Sequence, residues 1–254
     1  MLLVIDIGNT NTVLGVFDGN RLAADWRLET KQRQTADEYG ILARNLFALA
    51  EMEVSKIQHI VIASVVPPLN SVLEQMALKY FKLKPLFVEP GVKTGMPVLY
   101  DSPADVGADR IVNAVAAYER YGGPVIVVDF GTATTFDAIS TKGEYLGGVI
   151  TPGPGISAEA LFARTARLPR VEIKAPAKVI GTSTVGSIQS GLYYGYIGMI
   201  DGILERMLHE LGTNTKVIAT GGYATLIGTG SARIQQIDPN LTLEGLRLIY
   251  ERNK

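Results

Sequence analysis

Two stretches of this chain share one pattern: LLVIDIGNTNT begins at Leu2 and VIVVDFGTATT begins at Val125. In each, a short branched apolar run meets an aspartate, and a glycine and a cluster of hydroxyl or amide side chains follow. Such a run suits a strand buried on both faces. The surroundings repeat as well, so the chain reads as an internal duplication. After the first stretch, Thr12 to Phe17 and Leu22 to Leu28 are predicted strands around an Asp18-Gly19-Asn20 turn. A helix follows, with Tyr39, Leu42, Ala43, Leu46, Leu49 and Ala50 at helical spacing, Thr35 as N-cap and Glu38 three residues on. Ile57 to Ala63 is the next strand, a helix starts near Leu69 after Pro67-Pro68, and Pro85 to Val88 is a short strand.

The second half runs in the same order. Strands are expected over Val125 to Val128, Thr135 to Ile139 and Tyr145 to Ile150, then a helix over Ile156 to Ala166. A long helix runs from about Val185 to Leu211, capped by Ser183 or Thr184 and stopped by Gly212, and Lys216 to Ala219 is a further strand. The expected fold is α/β, with two lobes of order strand, strand, strand, helix, strand, helix and a central cleft. A helix over Ala104 to Tyr121 joins them, which puts the domain boundary between 1–113 and 114–254.

Composition narrows the partners. With 24 basic and 25 acidic residues the chain has no field favouring nucleic acid or an anionic membrane, so a small soluble ligand is the expected partner. The absence of cysteine removes thiolate chemistry and sulfur-bound zinc, and His59 and His209 are the only imidazoles. Both histidines fit structural places, one before a strand and one in a last helical turn. No apolar run is long enough to span a bilayer and the start lacks a signal-peptide pattern, so the expected location is cytoplasmic.

The repeated loops suggest chemistry. Asp6 and Asp129 each lie at the carboxyl end of a buried strand, where ligands bind in open α/β sheets. Gly8 and Gly131 permit close backbone approach, and Asn9, Thr10, Asn11 and Thr12, or Thr132, Thr134 and Thr135, offer donors to phosphate oxygens. Carboxylates repel phosphate, so a cation must lie between them, most simply Mg²⁺ through water. Ordinary turn chemistry explains either loop taken singly; the pair favours a polyphosphate site. Neither loop is a Walker loop, and no Gly-x-Gly-x-x-Gly opens a helix after a strand. The long helix carries more apolar circumference than one core face needs, with Gly191, Gly195, Gly198 and Gly202 interspersed. It is expected to be buried on two sides and to form a dimer seam, or else to be broken at its glycines.

Five stretches in order carry a family resemblance: DIGNTNT (Asp6 to Thr12), PADVGADR (Pro103 to Arg110), DFGTATTFD (Asp129 to Asp137), GGVITPGPGIS (Gly147 to Ser157) and ATGGYA (Ala219 to Ala224). The chain resembles the acetate and sugar kinase, heat-shock-70 and actin superfamily, and more narrowly the type III pantothenate kinases. The resemblance implies two ribonuclease H-like, actin-like ATPase lobes and ATP-dependent phosphorylation of pantothenate, the first step toward coenzyme A. It implies ATP phosphate and metal binding by Asp6, Ile7, Gly8, Asn9, Thr10, Asn11, Thr12 and Val13, an ATP contact at Thr132, and an adenosine-side loop at Gly221 and Gly222. Asp129 would help hold a monovalent cation, K⁺ or NH₄⁺, beside the Mg²⁺ of the nucleotide. Tyr100, Gly107, Ala108, Asp109 and Arg110 would line the pantothenate pocket, and Thr184 would reach it from the partner subunit of a homodimer.

Asp109 is then the catalytic base for the acceptor hydroxyl. From the residues alone, Asp109-Arg110 reads as a local ion pair at a helix start, and only the family pattern reverses that. Arg110 suits either the pantothenate carboxylate or a phosphate. Tyr100 suits a substrate contact or a half-buried packing place. Two other functions fit the superfamily: a kinase for a sugar or small carboxylate, and a non-catalytic nucleotide-dependent regulatory protein. PADVGADR argues against the first, and 254 residues leave little room for the extra subdomains of the second.

Overall fold

The structure is a computed structural model covering residues 1–254. The chain forms two compact units, one of residues 1–96, 101–116 and 241–254 and the other of residues 97–100 and 117–240. Each is built on a five-stranded mixed sheet with helices packed on it, the two-lobe α/β duplication expected from the repeat.

In the first unit β1 (Leu2–Ile7), β2 (Asn11–Asp18), β3 (Arg21–Glu29), β4 (His59–Ser64) and β5 (Leu86–Phe87) lie in the order β3-β2-β1-β4-β5. β1 runs antiparallel to β2 and parallel to β4, which makes it a central strand. Alternation sends Leu3, Ile5 and Ile7 to one face. There they pack with Tyr39, Ala43 and Phe47 of α1 (Ala36–Leu49) and with Leu73 and Met76 of α2 (Asn70–Met76). Thr35 and Glu38 form the expected capping box: the Glu38 N–H donates to Thr35 Oγ1 at 3.3 Å, and the Thr35 N–H donates to Glu38 Oε2 at 2.7 Å. Leu49 and Ala50, counted above among the apolar helix positions, stand exposed at the helix end.

The opposite face of β1 is closed by a helix that the sequence reading did not foresee, α6 (Leu241–Glu251). Its Leu241, Leu243, Leu246 and Ile249 are each at most 3% exposed, and Leu243 lies against Gly15, the partner of Val4 on β2. α3 (Ala108–Tyr121) meets α6 so closely that a Cβ on Gly245 would stand 2.1 Å from the Val112 carbonyl oxygen. Buried Arg247 ties the helix down, pairing with Glu244 at 2.5 Å and donating to Asn20 Oδ1 at 2.9 Å. The division into units therefore differs from a single cut at 113/114, because residues 241–254 return to the first sheet.

The second unit repeats the sheet order with β6 (Val125–Phe130), β7 (Ala133–Ile139), β8 (Tyr145–Pro152), β9 (Lys216–Gly221) and β10 (Gln236–Ile237) as β10-β9-β6-β7-β8. Ile126, Val128, Phe130 and Phe136 pack against Leu192, Tyr196, Ile200 and Leu204 of α5 (Thr184–Leu211), and α4 (Pro154–Arg164) precedes it. α5 is continuous despite its glycines and is capped by Ser183, whose hydroxyl accepts the Gly186 N–H at 3.1 Å. Within a single chain it buries one stripe, with Gly191, Gly195 and Gly198 on open backbone, so burial on two sides is not realised by this chain alone. The helix predicted from Ala104 starts instead at Ala108, after a 3₁₀ turn over Pro103–Asp105. No helix is long and apolar enough to cross a membrane.

Candidate active site

In the first unit the DIGNTNT hairpin leaves the carboxyl end of β1. Asp6 is the half-buried position in a strand otherwise closed from solvent, and the Gly8 N–H donates to the Asn11 carbonyl at 2.9 Å to shut the loop. Gly8 fits because a Cβ there would stand 3.1 Å from that same carbonyl. The predicted loop residues divide by role. Ile7 belongs to the core, and the buried Thr12 shares its hydroxyl with Thr30 at 2.9 Å. Asn9 and Thr10 stand exposed, while Asn11 and Val13 are half-buried on β2.

Asp109 joins this sheet end. Val65, directly after β4, donates its N–H to the Ile7 carbonyl at 3.0 Å, and Gly107 lies against the Val65 side chain. From Gly107 the chain turns into α3, with Ala108 as its first residue and Asp109 in its first turn. A Cβ on Gly107 would come within 2.5 Å of Asp109 Oδ1, so the glycine leaves room for the carboxylate. That oxygen accepts the Arg110 N–H at 2.8 Å. Burial raises the Asp109 carboxyl above the usual aspartate range, and the hydrogen bond and charge of Arg110 oppose the shift without reversing it. Arg110 itself is 8% exposed. A carboxylate made basic by desolvation and held at a sheet's carboxyl end has the properties of a proton acceptor.

In the second unit Asp129 occupies the place on β6 that Asp6 occupies on β1. The Gly131 N–H donates to the Ala133 carbonyl at 3.1 Å, but this hairpin spans 131–133 where the first spans 8–11. The two loops are therefore related without being superimposable. β9 runs parallel beside β6 and sets Gly221 opposite Phe130. Gly221 has φ +93, and a Cβ there would stand 2.4 Å from Asp129 Oδ1, so only glycine fits beside that carboxylate. Gly222 has open space about it. Gly153 locks the hairpin from below, its N–H donating to the Thr132 carbonyl at 2.9 Å as α4 begins. Next to this loop lies an open hollow of about 400 Å³ lined in part by Gly155, Ala158, Arg170, Ile173 and Tyr223.

Thr184 is the exposed first residue of α5 and takes no part in the cap that Ser183 supplies. Tyr100 lies apart from the Asp129 group, at the sheet edge, where Val98 bridges to Tyr145. Its ring packs over Gly147, which faces Ala138, three register positions from the pair of Asp129 and Thr135 and thus about 10 Å along the strands. Sequence reasoning gave no role to Asp137 or Tyr145, both fully buried. The available signal was an acid inside the apolar strand segment TTFDAI.

Comparison with known proteins bears on the family and the fold. The chain is 63% identical to the type III pantothenate kinase of Koribacter versatilis, an alignment covering 100% of this chain and 96% of that protein. Among solved structures, a protein from Campylobacter jejuni described as a candidate Baf-family transcriptional activator matches with a TM-score of 0.59 at 23% identity, over 99% of this chain and 98% of that one. The inorganic polyphosphate/ATP-glucomannokinase of Arthrobacter sp. strain KM matches with a TM-score of 0.50 at 15% identity, over 98% and 97%. These two likenesses carry the fold alone. The family model for type III pantothenate kinases matches residues 2–206, and with the full-length relative this shows that the chain belongs to the type III pantothenate kinase family.

Proposed function

We propose that this chain transfers the γ-phosphoryl group of ATP to the primary hydroxyl of pantothenate, giving 4′-phosphopantothenate for coenzyme A synthesis in the cytoplasm. The observation that carries the reading is Asp109, a carboxylate made more basic by burial and seated at the same sheet end as the DIGNTNT hairpin. Asp109 orients the acceptor hydroxyl and takes its proton as the oxygen attacks phosphorus. Asn9, Thr10 and the backbone from Asp6 to Val13 hold phosphate oxygens, Thr132 adds a contact, and Gly222, with open space about it, serves the adenosine side together with Gly221. The hollow beside Tyr223 suits the nucleoside end. Gly107 to Arg110 and Tyr100 serve pantothenate, whose carboxylate matches the Arg110 guanidinium.

The donor chemistry fits the implied cations. Asp6 and Asp129 would offer carboxylate oxygens at strand ends, to Mg²⁺ through water and to a monovalent cation respectively. When bound, these ions neutralise charge on the phosphates. A coupled ADP assay with pantothenate, a panel of sugars and acetate, run in K⁺ and in Na⁺ buffers, tests the reading. Turnover with pantothenate alone, and lower without K⁺, is the expected result; turnover with a sugar and none with pantothenate would discard it.

The working form in this reading is a homodimer seamed along α5. Gly191, Gly195 and Gly198 present open backbone, and Val185 and Tyr194 beside them are 43% and 37% exposed. Thr184 at the head of that helix then serves the partner's pantothenate pocket. Mixing inactive Asp109→Asn with inactive Thr184→Arg should restore activity at about a quarter of sites, since half the dimers form with one intact pocket. A monomer by light scattering, with no recovery on mixing, would remove the partner's role.

A further inference from the structure

Asp137 is 0% exposed, on the face of β7 opposite to that of Phe136. A buried carboxylate is costly unless its oxygens are hydrogen-bonded. Here both are. Tyr145 Oη donates to Oδ1 at 2.8 Å, and Thr135 Oγ1 donates to Oδ2 at 3.0 Å. Tyr145 is itself 0% exposed, so its hydroxyl has a defined partner and its ring a defined place.

The backbone of Tyr145 has a second task. β8 is the edge of its sheet, and the segment 97–100 adds to that edge. The Tyr145 N–H donates to the Pro97 carbonyl at 2.8 Å, and the Leu99 N–H donates to the Tyr145 carbonyl at 2.8 Å. Tyr100 follows directly, its ring 6.4 Å from that of Tyr145 and packed over Gly147. Gly147 has φ +121, a backbone angle that favours glycine, and a Cβ there would stand 3.5 Å from the Tyr100 ring, in ordinary contact.

We propose that Asp137 is a positioning residue for the pantothenate pocket: through the Tyr145 hydroxyl it fixes the residue on which the segment carrying Tyr100 is hung. The inference rests on the reading of Tyr100 as a pantothenate contact. A hydrogen bond to a buried hydroxyl selects one ring position, where an apolar residue at 137 would accept several. Asp137 touches no substrate in this account and reaches the Tyr100 segment through Tyr145.

The test is a double-mutant cycle on the whole enzyme, with steady-state kinetics in both substrates and a thermal melt for each variant. Tyr145→Phe deletes the hydroxyl and keeps the ring. It should raise KM for pantothenate about 5- to 20-fold while kcat and KM for ATP stay within about twofold. Asp137→Asn keeps an acceptor for the Tyr145 hydroxyl but replaces the oxygen that serves Thr135 by an amide nitrogen, so it should fall between wild type and Tyr145→Phe; it carries the same test if Tyr145→Phe does not fold. In a Tyr100→Ala background neither change should raise KM further. An unchanged pantothenate KM in Tyr145→Phe, or a rise that adds fully to that of Tyr100→Ala, overturns the inference and leaves the substrate reading standing. An unchanged KM in Tyr100→Ala itself overturns the substrate reading, and the inference with it.

Discussion

Asp109→Asn is expected to lower kcat by about 10²- to 10⁴-fold, the usual contribution of a positioned general base, while ATP binding measured by calorimetry stays near wild type. Asparagine keeps the shape and can still accept the Arg110 N–H, so the change removes basicity and little else. The wild-type rate should fall on the acid side through a raised carboxyl pKa, at higher pH than an ordinary aspartate near 3.9 would give, since the base must be ionised to act. The variant's residual rate should lack that limb.

The sign for stability follows from the same shift. A carboxyl whose folded pKa lies above its unfolded one favours the fold most when protonated, below the unfolded pKa. That contribution is lost as pH rises through the folded pKa. At neutral pH the ionised Asp109 therefore costs stability, and Asp109→Asn should melt at or above the wild-type temperature. Near-normal turnover would remove Asp109 from the role of base; a melt well below wild type would overturn the stability sign drawn from its raised pKa.

Ending the chain after Asn240 should abolish cooperative folding of the first unit. Leu241, Leu243, Leu246 and Ile249 are at most 3% exposed, and burying each such side chain is worth about 1.5–3 kcal/mol. Their sum approaches the roughly 5–15 kcal/mol that holds a whole domain together. The truncation also uncovers one face of β1 and deprives Asn20 of its Arg247 hydrogen bond. Circular dichroism during heating and limited proteolysis read the outcome. A cooperative melt within a few degrees of wild type would show that α6 is dispensable to this sheet.

Much of the fold was legible because its signals are local. The apolar runs ending at Asp6 and Asp129, the Thr35 and Glu38 cap, the Asp18-Gly19-Asn20 turn and the Ser183 cap each depend on residues a few positions apart. The candidate site was legible only in pieces. A motif names Gly107 to Arg110 but does not say that Gly107 lies on Val65 beside the first hairpin, a contact between residues far apart in sequence. Gly221 reads as an ordinary flexible glycine until β9 sets it against Asp129. Asp137 reads as an irregularity in a strand until Tyr145 closes on it.

From its sequence alone this protein was determined to be a duplicated α/β chain with two acidic strand ends and glycine-opened hairpins, since turn chemistry and hydrophobic period act over a few residues. Tertiary structure alone decided that α6 returns to the first sheet, that the two hairpins differ in length, and that the Tyr100 segment hangs on Tyr145. An amphipathic face records that it must be covered. Which distant segment covers it is settled by packing shape, as where Gly245 admits the Val112 carbonyl, and no local pattern encodes that match.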